Sequence, residues 1–219
     1  MKLKGFDFLV EFCRNHQLEL DLAPPALTPV DTQMVFQTDP DPQLAAMLRK
    51  NNGGLLWRLH LYGGPGASND LVERNRSLRE IRDDIPFLTD MILFGEAAYQ
   101  AVFWATIPAL ARPDGIQPVV YLDFNEVPKI LPIASSIDRA FYLLGQYLEI
   151  LKSRFGSINV GAGEYFFPWD IADLVAKDQD LTKLLNSGKL DVYTKTDQEA
   201  AEWVKKIKNA NAVMDNSPE

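Results

Sequence analysis

Cysteine is almost missing from this chain of 219 residues, and its scarcity excludes two kinds of chemistry at once. The single Cys13 can form neither an intramolecular disulfide nor a cysteine-based metal cage. It lies on the apolar side of the first helical segment, so it reads as a buried small hydrophobe, and a reducing cytoplasm is the expected setting. Histidine is nearly as rare. His16 and His60 do not fall in a His-Glu-x-x-His spacing, and two histidines make a zinc site only if carboxylates complete it. No apolar run nears the ~20 residues that cross a bilayer. The N-terminus has only Lys2 and Lys4 before a segment containing Asp7, Glu11 and Arg14, which is not the pattern of a signal peptide. Bases are also missing locally: none occurs between Arg14 and Arg49, where Glu19, Asp21, Asp31, Asp39 and Asp41 lie. From Asp83 to Glu126 the acids Asp83, Asp84, Asp90, Glu96, Asp114, Asp123 and Glu126 face the lone base Arg112. With a net charge of −8, the chain repels nucleic-acid backbones and anionic membranes, so neither is expected as its main partner.

What is present is ordinary globular material. Hydrophobic residues make up 47% and charged residues 24%, enough for one principal core with room for an appendage. Phe6, Leu9, Val10 and Cys13 have helical spacing, which predicts an amphipathic helix over Gly5 to His16. The prolines from Pro24 to Pro29 then impose an extended connector, with an edge strand expected at Gln33 to Gln37. Asp39 or Asp41 caps a second helix that has Pro42 in its first turn and stops at Gly53-Gly54. Leu55 to Tyr62 alternates as a strand. Ser68 or Asn69 caps a charged helix that ends before Pro86. Strands are expected at Met91 to Phe94, Ala98 to Thr106, Val119 to Phe124 and Val127 to Pro132, with Gly95-Glu96 and Asn125-Glu126 as connections. Short connections impose antiparallel pairing.

The clearest element is Ser136 to Phe155. Ile137, Phe141, Leu144, Leu148, Leu151 and Phe155 recur at intervals of four and three residues, giving one apolar stripe. After Gly156 a glycine- and aromatic-rich linker leads to Phe166-Phe167-Pro168-Trp169. Asp170 is then expected to cap a helix through Leu185, Leu190 to Tyr193 to form a brief strand, and Asp197 to cap a last helix that frays from Asn209. Trp169 and Trp203 are the expected anchors of this extension. The resulting class is α+β, a largely antiparallel sheet flanked by helices: a domain over residues 1–155 and a helical C-terminal extension over 156–219 packed on it.

An ordered set of these features resembles the SUKH superfamily, which includes fungal Smi/Knr-type regulators of cell-wall synthesis and bacterial toxin-immunity proteins. It comprises the Asn52-Gly53-Gly54 turn after a short helix, the apolar-Phe94-Gly95 step, Pro118-Val-Val-Tyr-Leu-Asp123 followed by Val127 to Ile133, and the helix after Ala134-Ser135-Ser136 with Phe141. The long link between Ser68 and Arg82 and everything after Phe155 depart from that pattern. The resemblance implies a Smi/Knr-like fold and a non-enzymatic, protein-binding function, most concretely an immunity-type protein that neutralises a toxin domain. A regulatory scaffold, or a small-molecule-binding or hydrolytic domain, is the alternative.

Residue chemistry offers little for catalysis. Gly63-Gly64-Pro65-Gly66 matches neither Gly-x4-Gly-Lys-Ser/Thr nor Gly-x-Gly-x-x-Gly, and Pro65 lacks the amide a phosphate cradle would use. It reads as a turn. Ser135-Ser136 reads as a helix cap, and Asp83-Asp84 as a solvated helix end. No catalytic, cofactor or metal residues are therefore expected. The expected partner is a protein, with a basic toxin domain as the specific case. The acids offered to it are Asp31, Asp39, Asp41, Asp83, Asp84, Asp90, Glu96, Asp114, Asp123 and Glu126, whose field would raise the association rate.

Overall fold

The computed structural model describes residues 1–25, 41–97, 101–159, 165–195 and 197–215. Its centre is an antiparallel meander of seven strands laid side by side in chain order. They are β1 Leu20–Leu22, β2 Gly54–Leu56, β3 Leu59–Leu61, β4 Ile92–Ala97, β5 Val102–Thr106, β6 Val119–Asp123 and β7 Lys129–Ala134. The helices among the described residues are α1 Lys4–Asn15, α2 Pro42–Lys50, α3 Leu71–Ile81, α4 Ile137–Phe155, α5 Ala172–Val175, α6 Gln179–Asn186, α7 Asp191–Thr194 and α8 Gln198–Asp215. The α+β class with C-terminal helices is as the sequence predicts. The strand expected at Gln33 to Gln37 lies outside the described residues, as do Ala98 to Gln100 of another.

Helix α4 begins and ends where its side chains dictate. The Ser136 hydroxyl accepts the Arg139 N–H at 3.1 Å, and Gly156 closes the helix at φ 68°, a left-handed position that suits glycine. Its stripe is buried: Ile137, Phe141, Leu144, Leu148 and Leu151 are at most 2% exposed. Phe141 lies against Phe6 of α1, Phe94 of β4 and Trp104 of β5, with ring centres 5.1, 6.3 and 6.2 Å away. Trp104 continues the stack onto Phe167 at 5.5 Å.

Helix α1 has no local side-chain cap. Its N-terminus is capped by the carboxylate of Asp138 in the first turn of α4, which accepts the Gly5 and Phe6 N–H groups at 2.7 and 3.1 Å. A Cβ on Gly5 would come 2.0 Å from the Asp138 carbonyl oxygen. Glycine therefore lets the two helices approach.

Several boundaries differ from the sequence expectation. The strand expected over Leu55 to Tyr62 is a hairpin, because Trp57 turns the chain at φ 58° between Leu56 and Leu59, which are paired. No Asn-Gly or Gly-x signal marks that turn. Gly95-Glu96 lies inside β4, and the glycine sits where the β4–β5 register shifts and where a Cβ would press on His60 and Leu59. The cap of α3 is Asp70, one residue beyond Asn69. The Asp170 carboxylate accepts the Phe166 N–H at 2.7 Å instead of capping a long helix. The helix breaks after Val175, and Asp178 caps α6 through the Leu181 N–H. Leu190 to Tyr193 leads into the short helix α7 and is not a strand. Helix α8 continues past Asn209 to Asp215, because Ala210 and Met214 extend the face of Ile207 against the core.

The C-terminal helices cover the last strand. Trp203 is fully buried and its indole N–H donates to the Pro132 carbonyl at 2.9 Å. The Asp178 carboxylate accepts the Ser135 N–H at 2.7 Å. Trp169, half-buried, meets Trp203 edge-on at 6.2 Å.

Candidate partner-binding surface

The fold scatters the acids that the sequence grouped. Asp31 and Asp39 lie outside the described residues. Asp41 is fully buried, so it cannot face a partner. It caps α2 by accepting the Gln43 and Leu44 N–H groups at 2.6 and 3.2 Å, and its other oxygen accepts the Gln117 N–H at 2.6 Å. Burial pushes its carboxyl above the usual range, against the pull of these three N–H groups. Glu96 is half-buried between Arg74 and the Tyr62 hydroxyl, each at 2.8 Å. Burial and the Glu96 charge raise the Tyr62 pKa, so it stays the donor. Asp114 is exposed but forked by Arg112, which also reaches Asp180 at 3.0 Å. Asp90 is exposed at the end of a 3₁₀ turn, Pro86–Asp90. Its charge adds to burial in raising the Tyr193 hydroxyl.

One group does come together. Arg82, directly after α3, lays its guanidinium over the Phe124 ring with 5.1 Å to the centroid and bonds Asp84 at 3.2 Å. This contact joins the end of α3 to the β6–β7 connection. Phe124 is anchored below by Phe103, with ring centres 5.4 Å apart. Asp123, half-buried, accepts both the backbone and the side-chain N–H of Asn125 at 2.9 and 2.8 Å, which fixes the turn that carries Glu126. Around this hinge Asp83, Asp84 and Glu126 are exposed, and Ile81 and Val127 show 73% and 61% of their surface. Lys129 closes the border by pairing with Glu199 at 2.9 Å. That bond, against desolvation, raises its pKa, with help from Asp123 and Glu126. The exposed groups here supply negative charge together with two apolar side chains. The charge count pointed to Asp83, Asp84, Asp123 and Glu126. Ile81 and Val127 were missed because a lone exposed aliphatic has no sequence signature, although Val127, assigned to a strand start, adjoins two turn residues.

The other candidates resolve into structural roles. Gly63 donates its N–H to the Asn69 carbonyl at 2.8 Å, and Gly64 donates to the Asn52 side chain at 2.5 Å, so these amides are not offered to a phosphate. His16 meets the Phe12 ring edge-on and lies 2.8 Å from the Lys152 ammonium. His60 pairs with Glu96 across the β3–β4 ladder. Burial raises the Cys13 thiol to about 11. Among the described residues no group of three or more His, Cys, Asp or Glu side chains is placed to hold a metal, and no helix is long and apolar enough to cross a membrane. In comparison with known proteins, no family model matches the chain and no curated protein matches it.

Proposed function

We propose that this chain is a cytoplasmic, non-enzymatic protein-binding domain of the SUKH type, most concretely an immunity-type protein that neutralises a toxin domain. Its docking surface is the patch of Ile81, Asp83, Asp84, Glu126 and Val127, and its partner presents bases around an apolar depression. The reading is supported by the Arg82–Phe124 contact, which ties the end of α3, with its exposed Ile81, Asp83 and Asp84, to the β6–β7 connection, with its exposed Glu126 and Val127. Charge accelerates encounter while apolar contacts slow release, so the two halves of the patch predict separable kinetic effects.

The test uses the product of an adjacent toxin-like reading frame. Co-expression should restore growth, and association measured at rising salt should slow as the acids are screened. The triple variant Asp83→Asn, Asp84→Asn, Glu126→Gln should lower the association rate by about tenfold at low salt. The pair Ile81→Ser, Val127→Ser should mainly speed dissociation. Persistent toxicity on co-expression would overturn the immunity reading, and an unchanged association rate in the triple variant would remove this patch from the mechanism.

A further inference from the structure

The sheet ends in two edges, and among the described residues only one of them is closed. At β7 the C-terminal helices take up outward groups: the Trp203 indole N–H donates to the Pro132 carbonyl at 2.9 Å, and the Asp178 carboxylate accepts the Ser135 N–H at 2.7 Å. Pro132 itself has no N–H to offer. At β1 the alternation of hydrogen bonds shows which groups face out. Glu19 accepts the Trp57 N–H at 2.7 Å and Ala23 donates to the Gly53 carbonyl at 3.1 Å, so the odd-numbered residues bond β2 and the main-chain groups of Leu20 and Leu22 point the other way. Among the described residues these N–H and C=O groups have no partner.

The side chains along this edge decide what can pair with it. Leu20 and Leu22 are half-buried and packed on the core, while Glu19 and Asp21 alternate with them and are exposed. Neither carboxylate has a hydrogen bond or an ion pair among the described residues. Because Leu20 and Leu22 would supply the ladder, Asp21 falls in a non-hydrogen-bonded pair with any antiparallel neighbour, where Cα atoms approach to ~4.5 Å and side chains lie closest. A second copy of the chain suits that place badly. Antiparallel self-pairing centred on Asp21 sets two Asp21 carboxylates against each other, and a slip of two residues sets Asp21 against Glu19. The opposite slip puts Pro24 across from Leu20, where the ladder needs an N–H that proline lacks.

We infer that β1 is a docking edge for an extended segment of a partner protein, one that pairs antiparallel to it and places a lysine or arginine opposite Asp21. Main-chain bonds to Leu20 and Leu22 attach the segment, apolar residues flanking its base lie beside the two leucines, and the charge selects it. This edge is separate from the patch of Ile81 and Val127. In the sheet order β1 lies five strand spacings from β6, about 24 Å at ~4.8 Å each, so the inference does not depend on that patch.

The test uses the isotope-labelled full chain and the pentapeptide acetyl-Thr-Val-Lys-Val-Thr-amide. In the free protein the Leu20 and Leu22 amides should exchange with deuterium at close to the unprotected rate, while Ala23 is protected by its bond to Gly53. Millimolar peptide should shift those two amides saturably and slow their exchange. Replacing both valines by N-methylvaline removes the N–H groups that face β1 and should abolish the effect; a central glutamate should weaken it. Asp21 is exposed, so Asp21→Asn should keep the wild-type melting temperature, and it should lower affinity for the lysine peptide by about fivefold at low salt, the upper range of a cross-strand charge pair. Protected Leu20 and Leu22 amides in the free chain would reveal an edge already paired and overturn the proposal. So would an absence of shifts, equal binding of the N-methylated or the glutamate peptide, or an unaltered affinity in Asp21→Asn.

Discussion

Two buried polar side chains show how single residues fix this fold. Asn75 is fully buried, and its amide accepts the Leu93 N–H at 2.9 Å and donates to the Leu93 carbonyl at 2.8 Å. Beyond the Leu61–Gly95 pair the Tyr62 N–H still bonds the Phe94 carbonyl at 2.9 Å, and Asn75 then acts as one more peptide unit at the ladder's open end. Asn75→Leu should destabilise by about 2–4 kcal/mol in urea unfolding, because two strand groups lose their partner in the interior. Asp41 adds a pH signature. Its folded-state pKa is raised above 3.8, so the native state holds the proton more tightly than the unfolded chain. Stability from this group therefore grows as pH falls through the raised pKa and levels off below the unfolded value. Asp41→Asn cannot titrate, so its deficit relative to wild type should widen as urea midpoints are compared at falling pH; a constant deficit would deny the raised pKa. Sequence spacing offered Asp39 or Asp41 as the helix cap, and Asp41 fills that place. Its burial was not legible, since the Gln117 amide comes from 76 positions away.

At the scale of elements, legibility followed the locality of the cause. Helices α1, α2 and α4 were readable because caps, proline and apolar stripes are local signals, whereas the β2–β3 hairpin turns at a tryptophan that sequence rules do not place in a turn. The break between α5 and α6 depends on Asp178, which the fold recruits both as a cap and as the acceptor for Ser135. For the same reason the candidate surface was half visible: the acids were countable, but the contact that gathers some of them is the packing of Arg82 on Phe124. Two substitutions test the α1–α4 pair. Leu148→Ala removes a fully buried side chain and should cost about 2–5 kcal/mol. Gly5→Ala drives a methyl group against the Asp138 backbone and should cost about 1–3 kcal/mol from overpacking; a neutral effect would show that the two helix ends are not held as closely as described.

Across the whole molecule, the sheet and the C-terminal helices share one apolar interior. The hydrophobic core runs without interruption from Leu3 through the strands to Ile207, and the linker contributes Phe167, which stacks on Trp104 at an interplanar angle of 9°. The segment after Phe155, which the sequence separates as an extension, therefore supplies cover that the sheet lacks by itself. Removing it would uncover Trp104, Tyr121 and the outer side of β7, all buried in the full chain. A chain ending at Phe155 should bind a hydrophobic dye and lose its cooperative thermal transition, since a large apolar surface would be returned to water. The full chain should instead resist proteolysis between Tyr165 and Lys195 and unfold in one step. Trp203→Ala provides the graded version: loss of the indole and its bond to Pro132 should cost about 3–5 kcal/mol and open the C-terminal helices to protease before the sheet unfolds. If the truncated chain melted cooperatively at the full-length temperature, the extension would be an independent appendage, and the single core would be the wrong description of this molecule.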